Sequence, residues 1–245
     1  MAGVLQRVDF NSIKKKYAKM GKGKVRLTES SLILKQAIQP NKTAYNFPVL
    51  DTNAGNAVSV LPEEIRLNIN DEFIVNKCGI YLGGKYFNEN LPQPDGVPVW
   101  FSAVPYELGG SGWVLLQRLY NGNLSIAVNN INYIDKWDVK KHEFRGITQF
   151  QNTSAGQPFA TSPNMRFLED GMVPMTPNVT LSGAKKNDIN IVLPDTLILP
   201  PAVAWLTPNG IITVNIDTVI VAFRGFLAQN ASNFQGAVRK AAARK

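Results

Sequence analysis

The sequence predicts an all-β protein made of two tandem β-sandwiches, a double jelly roll, with a short amphipathic N-terminal helix. Many short segments rich in β-branched and aromatic residues are separated by turn-forming residues. Roughly eight such segments precede a soft linker at residues 151–163 and roughly eight follow it, and eight strands make one jelly roll. No helix of ordinary length interrupts them, which argues against a parallel α/β sheet. We therefore expect a basic arm at 1–24, sandwiches at 25–150 and 151–229, and a basic tail at 230–245.

The first predicted element is an amphipathic helix at residues 9–20. Phe10, Ile13, Tyr17 and Met20 fall at spacings of three and four, so they share one apolar face. Lysines crowd the other side of the helix and continue after it: Lys14, Lys15, Lys16, Lys19, Lys22 and Lys24. Such a helix suits a membrane surface, or the packing of its stripe on a neighbouring subunit. About twelve residues are too few for a helix that is stable alone, so it needs a partner in either case.

Strands and turns then alternate as far as residue 138. The strand candidates are 25–27, 32–38, 45–50, 58–61, 65–69, 73–82, 97–104, 113–120 and 124–128. Asn121-Gly122 predicts a type I′ hairpin between the last two of them. Residues 131–141 fit either a strand or a short helix.

The second predicted sandwich contains shorter strands and ends on two long apolar runs. Its strand candidates are 165–168, 172–175, 179–181, 189–193, 197–199, 203–206, 211–216 and 219–223. Phe223-Arg224-Gly225 closes this region and repeats Phe144-Arg145-Gly146, and a Gln-Asn pair follows each tripeptide. The repeat suggests one β-unit that is built twice.

Positive charge is concentrated at the two ends of a chain whose net charge is +8. Residues 1–26 hold eight Lys and Arg against one Asp, a net charge of +7. Residues 229–245 hold Arg239, Lys240, Arg244 and Lys245 and no acid, a net charge of +4, which leaves −3 for the body. Two basic ends predict a shared anionic partner, either membrane headgroups or nucleic acid. Because no base-reading motif is visible, contact with nucleic acid would involve phosphates only and would weaken with salt.

No residue pattern predicts catalysis, a cofactor or a metal site. The single cysteine, Cys78, and the single histidine, His142, exclude an intrachain disulfide and zinc or iron–sulfur sites built from this chain alone. We expect Cys78 in the core, and His142 as a structural or a surface residue. The pattern GxxxxGK at 79–85 is followed by Tyr86, where a phosphate-binding loop needs Ser or Thr. We therefore expect a hairpin turn here. Carboxylate pairs such as Asp71-Glu72 leave a sugar-binding or sugar-cleaving sandwich as an alternative.

The start of the chain lacks the apolar region of a secretory signal, and no apolar run approaches the roughly 18–20 residues that span a bilayer. We therefore expect synthesis in the cytoplasm in a soluble form.

The chain as a whole resembles the double jelly-roll major capsid proteins of icosahedral, lipid-containing bacteriophages. The resemblance lies in the doubled β body, the basic N-terminal helix and the Asn-rich β-segments LPEEIRLNINDEFIVNKCGIYLGG (61–84) and TPNGIITVNIDTVIVAFRGFLAQN (207–230). Among these proteins it is most similar to the FLiP-like group of Flavobacterium phages, for which it would be short. The family implies upright sandwiches, trimers that form pseudo-hexagonal capsomers, and termini that point toward an internal membrane.

The resemblance implies a non-enzymatic structural virion protein that is made in the host cytoplasm and resides in the capsid. Its implied partners are two further copies in a homotrimer, neighbouring capsomers, penton or minor capsid proteins, the anionic headgroups of an internal membrane, and packaged nucleic acid. The interior-facing residues would be Lys14, Lys15, Lys16, Lys19, Lys22, Lys24, Arg239, Lys240, Arg244 and Lys245. Phe10, Ile13, Tyr17 and Met20 would face the membrane or a neighbouring subunit. The alternative is another β-sandwich virion component, such as a spike base, head fibre or tail adaptor, and then a carbohydrate-binding sandwich.

Overall fold

The computed structural model describes residues 10–19, 25–50, 64–88, 97–101, 117–143, 151–152, 158–159, 171–197, 203–207 and 210–231. The chain forms helix α1 (Phe10–Lys19) and then antiparallel strands. The strands are β1 (Arg26–Ala37), β2 (Ala44–Asn46), β3 (Glu72–Asn88), β4 (Val97–Phe101), β5 (Asn123–Val128), β6 (Ile131–Asp138), β7 (Gln151–Asn152), β8 (Pro158–Phe159), β9 (Val173–Pro174), β10 (Thr180–Ser182), β11 (Asn187–Val192), β12 (Val203–Thr207) and β13 (Gly210–Gln229). Short 3₁₀ helices span Gln117–Asn121 and Val139–His142.

Eight of these strands form two antiparallel sheets. The first sheet has the order β1-β13-β3-β10, and the second has the order β2-β11-β5-β6. If the eight strands are counted 1 to 8 along the chain, the sheets read 1-8-3-6 and 2-7-4-5. This is the strand order of a single jelly roll, in which the chain repeatedly crosses from one sheet to the other.

The remaining strands extend this framework. Strand β3 pairs along one edge of β13. The other edge of β13 is shared by two strands: β12 pairs with its first residues and β1 with its later ones. Strands β4 and β9 pair with β3 beside β10. Within the described residues, strands β7 and β8 form a separate pair.

The long strand β13 lies at the centre of the first sheet and has two different faces. Ile216, Val219, Val221 and Phe223 point between the sheets, and a shift of register near Asp217 explains the change from even to odd numbers. The space between the sheets is filled with large side chains, among which five aromatic residues are fully buried: Tyr45, Phe47, Phe73, Tyr120 and Phe223. The side of the first sheet that faces away from this core is called the outer face below.

The structure confirms the all-β sandwich and the short N-terminal helix. Both sheets, however, combine strands from residues 25–150 with strands from 151–229: β13 lies between β1 and β3, and β11 lies between β2 and β5. The described strands therefore form one sandwich and do not separate into two sandwiches in tandem. The linker composition and the strand count are local features, whereas the pairing of β13 with β1 joins residues about 200 positions apart.

Two predicted turns are placed differently by the structure. Asn121-Gly122 does not form a hairpin, because the residues before it make a 3₁₀ helix. The hairpin joins β5 to β6 instead, at Asn129-Asn130, whose φ angles of 54° and 62° are those of a type I′ turn. The glycine-rich pattern at 79–85 is not a turn either: it continues through β3, where a Cβ on Gly84 would collide with the backbone of Asn215. Phe144-Arg145-Gly146 lies outside the described residues, so the repeat suggested by it stays a prediction.

Candidate functional site

Helix α1 packs with its apolar stripe on the outer face of its own first sheet. Ile13 and Tyr17 are 5% and 3% exposed and pack with Ile74, Ala228 and Ala231. The spacing of three and four residues correctly predicted that these two side chains share a face. In the structure these two side chains pack on the chain itself. The membrane surface or neighbouring subunit that the sequence suggested as their partner stays a prediction.

Phe10 extends the same contact at the start of α1. Its ring centroid lies 5.6 Å from that of Phe226 on β13, and its side chain remains 40% exposed. Met20, the fourth residue of the predicted stripe, lies outside the described residues. The contact with Phe226 therefore marks the edge of the buried helix interface.

A buried hydrogen bond anchors the helix to the sheet. The Tyr17 hydroxyl donates to Glu72 Oε2 at 2.8 Å, and Glu72 is only 5% exposed at the start of β3. Burial, and then the negative charge of Glu72, raise the pKa of Tyr17 well above its usual value. The hydroxyl therefore keeps its proton and remains the donor at physiological pH.

The carboxylates of Asp71-Glu72 thus have structural partners. Besides the bond between Tyr17 and Glu72, the backbone N–H of Asn230 donates to Asp71 Oδ1 at 2.8 Å. The pair holds α1 and the end of β13 to the start of β3. Sequence reasoning missed it because the contacts join residues 55 and 159 positions apart.

The lysine side of α1 faces away from the sheet. Lys14, Lys15 and Lys16 are exposed, and the first two border an open depression together with Asn11 and Ala18. Lys19 is the last residue of the helix. The other predicted basic residues lie outside the described ranges: Lys22, Lys24, Arg239, Lys240, Arg244 and Lys245.

Both ends of the described chain meet beside this helix. Exposed Arg26 begins β1 and is the register partner of Gln229, the last residue of β13. Ala231, just beyond that strand, packs under α1. We call this region the basic end, defined by Lys14, Lys15, Lys16 and Arg26. The N-terminal and C-terminal basic segments of the sequence therefore join the sandwich at the same place.

A second polar cluster surrounds His142, which is fully buried. The indole N–H of Trp137 donates to His142 Nε2 at 2.8 Å, and His142 Nδ1 lies 3.1 Å from the carbonyl oxygen of Gly171. This network assigns the proton to Nδ1, which donates to Gly171. Burial lowers the pKa of His142 to about 4, so the ring is neutral at physiological pH. The cluster ties the end of β6 to residue 171. Of the two positions expected for His142, structural or surface, the structure shows the buried, structural one.

Cys78 occupies the core, as predicted. Its side chain is fully buried within β3, and burial raises the pKa of its thiol, which keeps the sulfur protonated. It is therefore a packing residue.

Two kinds of feature are absent from the part of the chain that the structure describes. No three His, Cys, Asp or Glu side chains are grouped there so that they could hold a metal ion. No helix there has the length and apolar character needed to cross a bilayer.

Comparisons with models of protein families, with curated proteins and with solved structures found no match to this chain. The strand order, the packing and the charge of the molecule are therefore the observations that bear on its function.

Proposed function

We propose that the protein is a structural virion protein, a capsid subunit that assembles through its jelly roll and turns its basic end toward the particle interior. The observation that carries this proposal is the meeting of α1, the start of β1 and the end of β13 at one end of a jelly roll. Jelly rolls are recurrent in viral capsid proteins, and also in lectins and cupins. Basic ends on a mildly acidic body match a shell that encloses anionic contents.

The packing of the sandwich supports a structural role over ligand binding inside it. Ligand sites are usually concave pockets of several hundred Å³. Here the space between the sheets is occupied by five fully buried aromatic rings and the aliphatic side chains around them. A filled interior of this kind favours a building block, whose partners bind at its outside.

The form of the capsomer follows from the number of sandwiches in each subunit. A trimer of double jelly rolls has six sandwiches, and this gives the pseudo-hexagonal outline that the resemblance implies. The described strands supply one sandwich in each subunit. We therefore propose a capsid built from single jelly rolls, in which a homotrimer would have a threefold outline and would contact neighbouring capsomers and penton proteins through its sides.

The proposal is tested by the assembly of the purified full-length chain. Sedimentation velocity and negative-stain electron microscopy should detect trimers, and closed shells or ordered arrays at higher protein concentration. A closed ring or a pentamer without shells would favour a spike base, head fibre or tail adaptor instead. A protein that stays monomeric under all assembly conditions and binds glycans on an array would contradict a virion role.

A further inference from the structure

We propose that the basic end binds the phosphate backbone of nucleic acid without regard to sequence, and that it does not bind a lipid surface. The inference deepens the proposed function, and it rests on that function for its setting inside a capsid. The positive charge alone would suit either membrane headgroups or nucleic acid. The docking of α1 on the first sheet favours nucleic acid.

The docking of α1 buries the apolar face that a membrane-surface helix inserts into the lipid. Such a helix lies in the interface and buries its apolar face about 5–10 Å deep among headgroups and acyl chains. In this protein Ile13 and Tyr17 are already buried on the outer face of the first sheet. To enter a membrane, the helix would have to break the bond between Tyr17 and Glu72 and expose Ile74 and Ala228 to water. The docked helix therefore meets a partner through its charged side.

The charged side has the chemistry of a phosphate-binding surface. Three successive lysines, Lys14, Lys15 and Lys16, are exposed on α1. Arg26 lies at the same end of the sandwich and is also exposed, but it leaves β1 on the face opposite to Val25 and Leu27, which pack toward α1. The helix is about 15 Å long, and duplex DNA carries one negative charge per about 1.7 Å of its axis, so several phosphates come within reach of one helix. Lysine ammonium groups pair with phosphate oxygens as point charges and carry no information about base sequence.

The sequence carries further positive charge after the last residue that packs with α1. Ala231 packs with α1, and the 14 residues after it contain Arg239, Lys240, Arg244 and Lys245 without an acid.

The test compares nucleic-acid binding by the full-length wild type and by a triple variant, Lys14→Gln, Lys15→Gln and Lys16→Gln. Glutamine keeps the helix propensity of lysine and removes the charge. Binding is measured by fluorescence anisotropy with labelled single-stranded DNA of two unrelated sequences and with a duplex, over a range of NaCl concentrations. Since each phosphate contact contributes about 0.7 to the salt slope on single strands, the triple variant should lower that slope by about 2. Its affinity at about 0.1 M salt should fall about a hundredfold.

The matched control changes the same number of charges away from the basic end, with Lys42→Gln, Lys85→Gln and Lys136→Gln. Lys42 follows the far end of β1, Lys85 lies thirteen residues along β3 from Glu72, and Lys136 lies in the second sheet. The control should bind DNA within about threefold of the wild type, since only long-range attraction is reduced. The two DNA sequences should bind the wild type equally well.

Several results would overturn the inference. One is an equal DNA affinity of the wild type and the Lys14–Lys16 variant. Another is binding of the wild type to phosphatidylglycerol vesicles that is as tight as its binding to DNA at the same salt concentration. A failure of the proposed function looks different. A wild type that binds DNA as expected but never assembles would contradict the capsid role and leave this inference standing. A wild type that assembles but does not bind DNA would overturn only the inference.

Discussion

Replacement of Tyr17 by phenylalanine tests the docking of α1, on which the choice between nucleic acid and membrane depends. The change removes one oxygen atom and keeps the ring, so the apolar contacts with Ile74, Ala228 and Ala231 are retained. What is lost is the hydrogen bond of 2.8 Å to Glu72, whose side chain is 5% exposed.

The size of the effect follows from the charge and burial of the acceptor. A hydrogen bond to a charged group contributes about 1.5–3 kcal/mol, and the carboxylate of Glu72 would lose this donor while it remains mostly out of water. We therefore expect the docked helix to be destabilised by about 2 kcal/mol. Because α1 contacts only one face of the sandwich, the loss should favour local opening of the helix and leave the two sheets folded.

Hydrogen–deuterium exchange followed by mass spectrometry measures this opening directly. A change of about 2 kcal/mol corresponds to an increase of about 30-fold in the exchange rate of amides in peptides from residues 10–19. Tyr133→Phe is the matched control, because Tyr133 is 43% exposed on β6, and it should change these rates by less than about threefold. If Tyr17→Phe exchanges at the wild-type rate in α1, the bond does not anchor the helix, and the helix is then free to leave the sheet for a membrane.

Two further predictions concern His142 and Gly225. The pKa of His142 is about 4 in the folded chain and about 6.5 when unfolded, so only the unfolded state gains this proton as the pH falls from about 6.5 to about 4. The free energy of unfolding should drop by about 3 kcal/mol across that window, and urea denaturation of His142→Gln should lack this part of the pH dependence. In β13, a Cβ on Gly225 would collide with the carbonyl oxygen of Ile74, so Gly225→Ala should cost about 2 kcal/mol or more in the same assay, whereas a cost below about 0.5 kcal/mol would contradict the close strand contact.

The sequence predicted what depends on local pattern. The spacing of Ile13 and Tyr17 predicted a buried helix face, and the apolar surroundings of Cys78 predicted a core position, and both are confirmed. The segment 131–141, which fitted a strand or a helix, contains both: β6 and a 3₁₀ helix. In each case the signal lies within a few residues of the side chain that it describes.

What the sequence did not predict depends on contacts between distant residues. Alternation along β13 indicates that its two faces differ, but it does not indicate whether β1 or some other strand lies beside it. For the same reason an apolar stripe on α1 predicts a partner without identifying it, and Glu72 carried no signal that its partner is Tyr17. Turn chemistry was misleading at Asn121-Gly122, where a 3₁₀ helix was formed instead, while Asn129-Asn130 adopted the positive φ angles of the hairpin.

An engineered disulfide between β2 and β11 tests the single jelly roll most directly. Asn46 and Asn190 are register partners, and their side chains share a hydrogen bond of 2.8 Å. Opposite residues in antiparallel strands have Cα atoms about 4.5–5.5 Å apart, which lies within the range that a disulfide bridges. One residue belongs to 25–150 and the other to 151–229, so the pair is adjacent only if both parts of the chain build one sandwich. The native Cys78 is buried and does not compete.

The measurement is the number of free thiols in the denatured monomer after mild oxidation of the variant Asn46→Cys, Asn190→Cys. A single jelly roll predicts one remaining thiol, that of Cys78. On a non-reducing gel the variant should migrate as a monomer. Three free thiols in the monomer, or disulfides only between chains, would show that the two parts fold apart. That result would contradict the arrangement that brings both basic segments to one end of the molecule.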